Sequence, residues 1–314
     1  MKLQAAASGN GKAHSRSHGN VQGRSQDNSQ GKDPSNGNPD VVVAVVPLHR
    51  PQLTALEGFS LEHSLARLQR RRRVVFIGPQ GLDLSAYRQR LGKMDWKPFP
   101  ADNFASVQGY SRLLTSAPFY EQFADHEFML VLQPDALLLR DELDAWTQRP
   151  FDYVGAPWPD GVEIFINLDR FGGEAGVRIK AHVGNGGFSL RRNRACVALL
   201  KEFPQALQYF QLSGSSEDLF FAFMGQVSTR FVLPNEMTAA RFALELKPQR
   251  YRLIDPSPPM GGHAWWKYDP VFWLDQLGDA ATPALRQAVL VEAQKSQAAA
   301  AARVQASESV HAAV

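Results

Sequence analysis

The sequence predicts an α/β domain built on a mostly parallel, Rossmann-like central sheet flanked by helices. Three observations point there. Val41-Val-Val-Ala-Val-Val46 and Phe128-Met-Leu-Val-Leu132 are unbroken apolar runs without alternation, the pattern of strands buried on both faces. Between the first run and Val74-Val-Phe-Ile77, the residues Leu53, Leu56, Leu61, Leu65 and Leu68 recur at mostly helical spacing. Strand, helix, strand in that order makes a right-handed parallel crossover unit. Finally, a hydrophobic content of 44% over 314 residues suffices for one substantial core, a single domain of about 230–250 residues with polar ends.

The elements follow in order. Residues 1–40 are Gly, Ser, Asn, Gln and scattered charge, too poor in large apolar groups to offset their ordering entropy, and are expected to be a disordered tail. Residues 52–70 form the amphipathic helix, which ends in Arg70-Arg-Arg-Arg73. Cations there complement the helix dipole as a solvated edge, or form a basic patch for peripheral membrane contact. A short helix follows from Leu84 to Leu91, then Trp96–Phe99 as strand or loop. Residues 106–124 are helical with an interruption at Pro118. Past the central strand Phe128–Leu132, Asp141–Trp146 form a short helix. Residues 159–181, rich in Gly and mixed polar groups, read as a long loop or lid. Phe188-Ser189-Leu190 is a strand with Phe and Leu on one face. Residues 193–210 are mainly helical. Ser215-Ser216-Glu217-Asp218 starts another helix with a serine cap and an acidic first turn. Residues 256–266 form a rigid aromatic loop, and residues 278–314, rich in Ala and Gln, a polar helix or a frayed tail. The folded domain is thus expected over 41–277.

Composition narrows the partners. A formal charge of +3 and a pI near 9.0 are too mild to argue for nucleic acid. The chain has no run of about 20 apolar residues, so no membrane span is expected, and no apolar segment follows Lys2 to make a secretory signal. Cys196, the single cysteine, has no partner for an internal disulfide and reads as a small core residue in a reducing compartment; the expected address is the cytoplasm.

Four features carry candidate chemistry. Gln133-Pro134-Asp135 breaks the central strand and places a carboxylate at its carboxyl end, where open α/β sheets bind ligands; on local sequence alone, Asp135 reads more simply as a turn residue. Gly184-Asn185-Gly186-Gly187 allows close backbone approach to a ligand, or a plain turn. Glu217-Asp218 at a helix start is either a catalytic pair or simply favoured by the dipole. His263, in a Gly-rich loop, is a metal ligand or a hydrogen-bonding surface residue.

Gln133-x-Asp135-Ala136, Asp152-Tyr-Val-Gly-Ala-Pro-Trp158, Val183-Gly-Asn-Gly-Gly-Phe-Ser-Leu-Arg191, Glu217-Asp218-x-x-Phe221, Ala240-x-Phe242-Ala243-x-Glu245 and Gly262-His263-Ala264-Trp265 together resemble an uncharacterised bacterial and fungal domain family, of the domain of unknown function 5672 type. That family is similar to glycosyltransferases of the GT-A fold. The resemblance covers roughly residues 41–277 and implies a GT-A-like domain that binds a nucleotide-diphosphate sugar and a carbohydrate acceptor. It implies that Asp135 matches the last acid of an Asp-x-Asp motif that ligates Mn²⁺ or Mg²⁺, with His263 a further ligand. Gln133 stands where the first acid would be, able to hydrogen-bond a hydroxyl but carrying no charge. Asp218 would be the general base of an inverting transfer, with Glu217 holding an acceptor hydroxyl or capping the helix. Asn185, Gly186 and Gly187 would let the backbone approach donor or acceptor, and Trp158, Trp265 and Trp266 would stack on sugar faces. Two other readings remain: a non-catalytic carbohydrate- or nucleotide-sugar-binding protein on the same fold, and a glycoside hydrolase using Asp135 and Asp218 as its acid and base.

Overall fold

The structure, a computed structural model, describes residues 41–68, 71–166 and 177–311. The expectations for residues 1–40 and for Arg70 lie outside the described residues. The chain runs β1 (Val42–Pro47), α1 (Ala55–Leu68), β2 (Arg73–Pro79), α2 (Ser85–Leu91), β3 (Asp95–Phe99), α3 (Val107–Leu114), α4 (Ala117–Glu121), β4 (Phe128–Leu132), β5 (Leu137–Leu138) and α5 (Leu143–Thr147). It continues with β6 (Tyr153–Ile166), β7 (Val177–Arg192), α6 (Asn193–Glu202), α7 (Pro204–Leu212), α8 (Glu217–Val227), α9 (Glu236–Phe242), β8 (Ala243–Leu244), α10 (Pro248–Ile254), β9 (Gly261–Gly262), α11 (Trp265–Tyr268), α12 (Pro270–Leu277) and α13 (Pro283–His311).

Six strands form the central sheet in the order β3-β2-β1-β4-β7-β6. The first four are mutually parallel, and β7 and β6 extend the sheet antiparallel, so the fold is the mostly parallel α/β class that was expected. The unbroken apolar runs are unbroken because both faces are covered. Val42, Ala44, Val46 and Leu130 pack with Leu61, Leu65 and Leu68 of α1; Val43, Val45, Met129 and Val131 pack with α3, α4 and the phenylalanines of α8. Each such fully buried Val, Leu, Met or Phe side chain stabilises the fold by about 1.5–3 kcal/mol. The chain winds outward from β1 to β3 and then returns to the other side of β1 to make β4. This reversal opens a crevice at the carboxyl ends of β1 and β4, the topological switch point.

A second, three-stranded sheet, β5-β9-β8, has only two residues per strand. Its value is positional. Leu137 and Leu244 both register with Gly262, so the residues flanking these strands, Asp135 before β5, Glu245 after β8 and His263 after β9, arrive together. Gly262 is required there, since a Cβ would overlap the Trp273 ring. Ala264 then takes a left-handed conformation (φ 49°), a cost of about 1–2 kcal/mol that turns the chain sharply into α11.

Several expectations change. Residues 159–166 and 177–181 are not a lid but paired strand: Val162, Glu163 and Ile164 register with Ala181, Lys180 and Ile179 in the long β6–β7 ribbon. Their polar residues alternate with Val162, Ile164 and Ile179, which pack inward, and the pairing partner is too remote in sequence to announce itself. Residues 167–176 lie outside the described residues. The arginine run is structural in its described part. Arg72 is buried and pairs with Asp141 at 3.2 Å and Asp144 at 2.7 Å, while Arg71 reaches Asp144 and Arg73 reaches Asp95. Each of these three thus has a carboxylate partner. Among the described residues, no helix is long and apolar enough to cross a membrane. At the other end, α13 returns to the body of the domain, packs Val289 with Trp265 and Trp273, and also buries Ala293.

Candidate active site

Two carboxylate clusters lie on either side of one dipeptide, Gly186–Gly187. Between Val154 and Ala156, β6 advances two residues while β7 advances five, from Leu190 to Asn185. The resulting bulge re-aims the glycine segment and the side chains next to it. A Cβ on Gly187 would overlap the His263 ring, and one on Gly186 would press on Glu217 at 2.6 Å and meet Asp218 Cβ at 3.4 Å. The glycines are therefore present to admit those side chains.

On the first side, α8 begins with Glu217 and Asp218. Glu217 is 6% exposed. Its Oε1 accepts from Arg191 Nη2 at 3.0 Å and its Oε2 from Ser111 at 3.3 Å. Arg191 is fully buried and also donates to Tyr120 and Ser189. Glu217 is thus neither a helix cap nor a free acceptor ligand; it is the counter-ion of a buried guanidinium. Ser216 occupies the cap position, but its hydroxyl donates to Asp218 Oδ1 rather than accepting from the helix. Leu219 N donates to the same Oδ1 at 2.8 Å, so Oδ2 is left to take a proton. Burial, reinforced by the charge of Glu217, pushes the Asp218 carboxyl up to about 6 against the pull of these hydrogen bonds. Burial here outweighs the helix N-terminus.

On the second side, His263 joins two carboxylates. Its Nδ1 lies 2.9 Å from Glu245 Oε2, and its Nε2 lies 3.1 Å from both Asp135 Oδ1 and Gln133 Oε1. Asn185 donates its amide to Glu245, fixing that carboxylate from behind. Lys267, brought round by α11, donates to Asp135 Oδ2 at 2.7 Å. Burial works against a charged Asp135, but His263 and Lys267 overrule it and hold its carboxyl well below the usual range. An acid so firmly ionised donates no proton, so in the glycoside-hydrolase reading Asp135 serves only as base or nucleophile and the acid is Asp218. Burial likewise opposes a charged His263, and Asp135 and Glu245 raise its pKa well above the ordinary value in spite of it.

Beside this cluster lies a cavity of about 470 Å³, within the range of small-molecule sites. It opens at the switch point, over Pro47, Gln133, Pro134 and Asp135, with His49, Arg50 and Lys267 as its basic groups and Tyr110 and Phe104 as its aromatic ones. Arg50 is paired with Glu57.

Residues 93–263 match a family described as protein of unknown function (DUF5672), more than half of the 314 residues. The chain belongs to the DUF5672 family. The matched span of this DUF5672 protein starts after β2 and ends on His263, so it holds both carboxylate clusters but not β1 or Lys267. No curated protein matches the chain in sequence. Among solved structures it is similar to the apo form of the WbbM bifunctional glycosyltransferase (TM-score 0.44, 9% identity, 82% of this chain), and spans about half of that protein, 52%. It is also similar to apo mouse xyloside xylosyltransferase 1 (TM-score 0.42, 10% identity, 71% of this chain and 96% of that one). The apo-form glycosyltransferase GlyE of Streptococcus pneumoniae follows (TM-score 0.38, 12% identity, 80% and 62%). All three are distant likenesses.

The tryptophans part company. Trp265 is 0% exposed and donates its indole N–H to Ser60 at 2.7 Å, so it is a core anchor of α1 with no face for a sugar. Trp266 is buried in the same cluster, and Trp158 is half-buried against Gly184. Three site residues of the DUF5672 chain escaped sequence reasoning. Glu245 and Arg191 stood inside motif blocks without an assigned role, and their burial as charges is what marks them. Lys267, one residue past two tryptophans, had no local signal.

Proposed function

We propose that this DUF5672 protein transfers a glycosyl group from a nucleotide-diphosphate sugar to a hydroxyl of a carbohydrate acceptor, with inversion at the anomeric carbon. The observation that carries the reading is Asp218. It is a carboxylate with one oxygen uncommitted and a pKa raised to about 6, close to the value that suits a general base at neutral pH. Its Oδ2 takes the acceptor hydroxyl proton as the acceptor oxygen bonds to the anomeric carbon. The bond from that carbon to the diphosphate breaks, and the electron pair leaves with the nucleoside diphosphate. The Ser216 hydroxyl and the Leu219 amide hold Asp218 in place through its Oδ1.

The donor lies in the switch-point cavity, its nucleotide toward His49, Arg50 and Tyr110 and its diphosphate toward Lys267 and Asp135. The donor set also fits Mn²⁺ or Mg²⁺. Asp135 Oδ1 and Gln133 Oε1 each stand 3.1 Å from His263 Nε2, about the spacing of adjacent ligands around a small octahedral cation. Glu245 on the far nitrogen is the outer carboxylate that orients a ligating histidine. Among the described residues, no three His, Cys, Asp or Glu side chains form a metal group, and the Gln133 amide supplies the third donor in this reading. Such an ion would neutralise charge on the departing diphosphate.

A panel of nucleotide sugars with Mn²⁺, read out as released nucleoside diphosphate, tests the proposal. Asp218→Asn is expected to lose about 10²–10⁴-fold in turnover while calorimetry shows donor binding retained. Normal turnover in that variant would sink the base assignment. Saturable donor binding by the unaltered protein with no turnover across acceptors would replace the transferase with a binding protein on the same fold.

A further inference from the structure

On the flank of α1 away from the candidate active site lies a second cavity, of about 370 Å³. Its lining includes His63 and Arg67 of α1, Arg140 after β5, Arg252 of α10, and Asp275 and Gln276 of α12. Glu57, which lines the donor cavity, precedes Arg67 by ten residues on α1, roughly 15 Å along the helix axis. The two cavities are therefore separate places.

The arginines are held unusually. Arg67 donates Nε to the Leu139 carbonyl at 2.7 Å and Nη1 to the His63 carbonyl at 2.8 Å. Arg252 donates to the Gln276 amide oxygen at 3.3 Å. Arg140 donates to the Pro258 carbonyl at 2.8 Å and pairs with Glu142 at 2.7 Å. Neutral carbonyls thus fix the guanidinium planes of Arg67 and Arg252 without cancelling their charge. Among the described residues neither makes an ion pair, and Asp275, the only carboxylate in the lining, stays exposed and beyond ion-pair distance of all three. The arrangement contrasts with Arg71, Arg72 and Arg73, each met by a carboxylate. His63 adds a second sign. Its Nε2 is buried with no hydrogen-bond partner, so a ligand in the cavity meets it only once the ring turns toward the cavity. Burial, then Arg67, lowers its pKa to about 4, so it stands neutral with one N–H to give.

We propose that this cavity is an anion site for a phosphomonoester, with Arg67 and Arg252 as its principal charges, Arg140 at its edge and His63 on its wall. Guanidinium forks preset by backbone carbonyls suit the oxygens of a tetrahedral phosphate and cost little ordering on binding. The volume exceeds that of phosphate alone and leaves room for a small attached group. That group is either a soluble metabolite or a lipid headgroup, which share the same chemistry here. The site stands independently of the transferase reading.

Calorimetry on the full chain with glycerol 3-phosphate, and flotation with vesicles of phosphatidylcholine with and without phosphatidate, test it. Saturable binding of either probe is expected, weakened about tenfold or more by Arg67→Gln combined with Arg252→Gln. Asp275→Asn should tighten it severalfold by removing a like charge. Glycerol 3-phosphate binding identifies a soluble ligand, and phosphatidate-dependent flotation alone identifies a lipid. Absence of binding to both probes up to about 10 mM overturns the proposal. So does binding that ignores Arg67 and Arg252 yet falls in Lys267→Ala, which would place the anion in the donor cavity. Should the double variant fail to fold, the surface variant Asp275→Asn decides, and unchanged affinity there also overturns it.

Discussion

Replacing Asp218 by Asn should make the protein more stable at alkaline pH while removing its proposed base. The carboxyl rises from 3.8 to about 6 on folding. Folding therefore favours the protonated acid: the stability is fully present below pH 3.8, falls as pH rises between 3.8 and 6, and has been lost above 6. Just over two units at about 1.4 kcal/mol each gives roughly 3 kcal/mol, part of it owed to repulsion from Glu217. An Asn keeps an oxygen for the Ser216 hydroxyl and the Leu219 amide but carries no charge to bury. The measurement is urea unfolding of both proteins at several pH values. Relative to the unaltered protein, the variant should gain roughly 2 kcal/mol between about pH 4.5 and pH 8, whatever fixed offset the substitution adds. A difference between the two proteins that stays flat with pH would refute the claim that burial strains the Asp218 carboxylate, and with it the argument for its role as base.

The same carboxyl sets a kinetic expectation: kcat/KM should rise with pH through about 6 and level off above it. Arg191→Met leaves Glu217 buried without its partner and should cost about 3–5 kcal/mol by urea denaturation. The isosteric Glu217→Gln, which strands the guanidinium instead, should cost a comparable amount. Gly187→Ala forces a methyl into the His263 ring and should destabilise by about 1–3 kcal/mol, with donor binding lost by calorimetry. Lys267→Ala frees Asp135 Oδ2 and should weaken nucleotide-sugar binding about tenfold or more, while leaving the thermal midpoint within a few degrees.

The sequence by itself determined the sheet-forming core, because the strands at its centre are buried on both faces and only unbroken apolar runs satisfy that. It also placed Asp135 at a strand end and Glu217-Asp218 at a helix start, since a proline break and an acidic first turn are local signals. The β6–β7 ribbon was hidden because its half-exposed strands owe their order to a partner across the hairpin. The separate roles of Glu217 and Asp218 were hidden for a like reason: they differ only in which one meets Arg191, a contact across 26 residues. The family resemblance had joined Asp135 to His263, but tertiary structure alone added Glu245 and Lys267 to them, the latter across 132 residues from Asp135. Local sequence specifies which way a backbone runs and which side chains avoid water. Which buried charges meet depends on the packing of three two-residue strands and one strained alanine, and no local pattern records that.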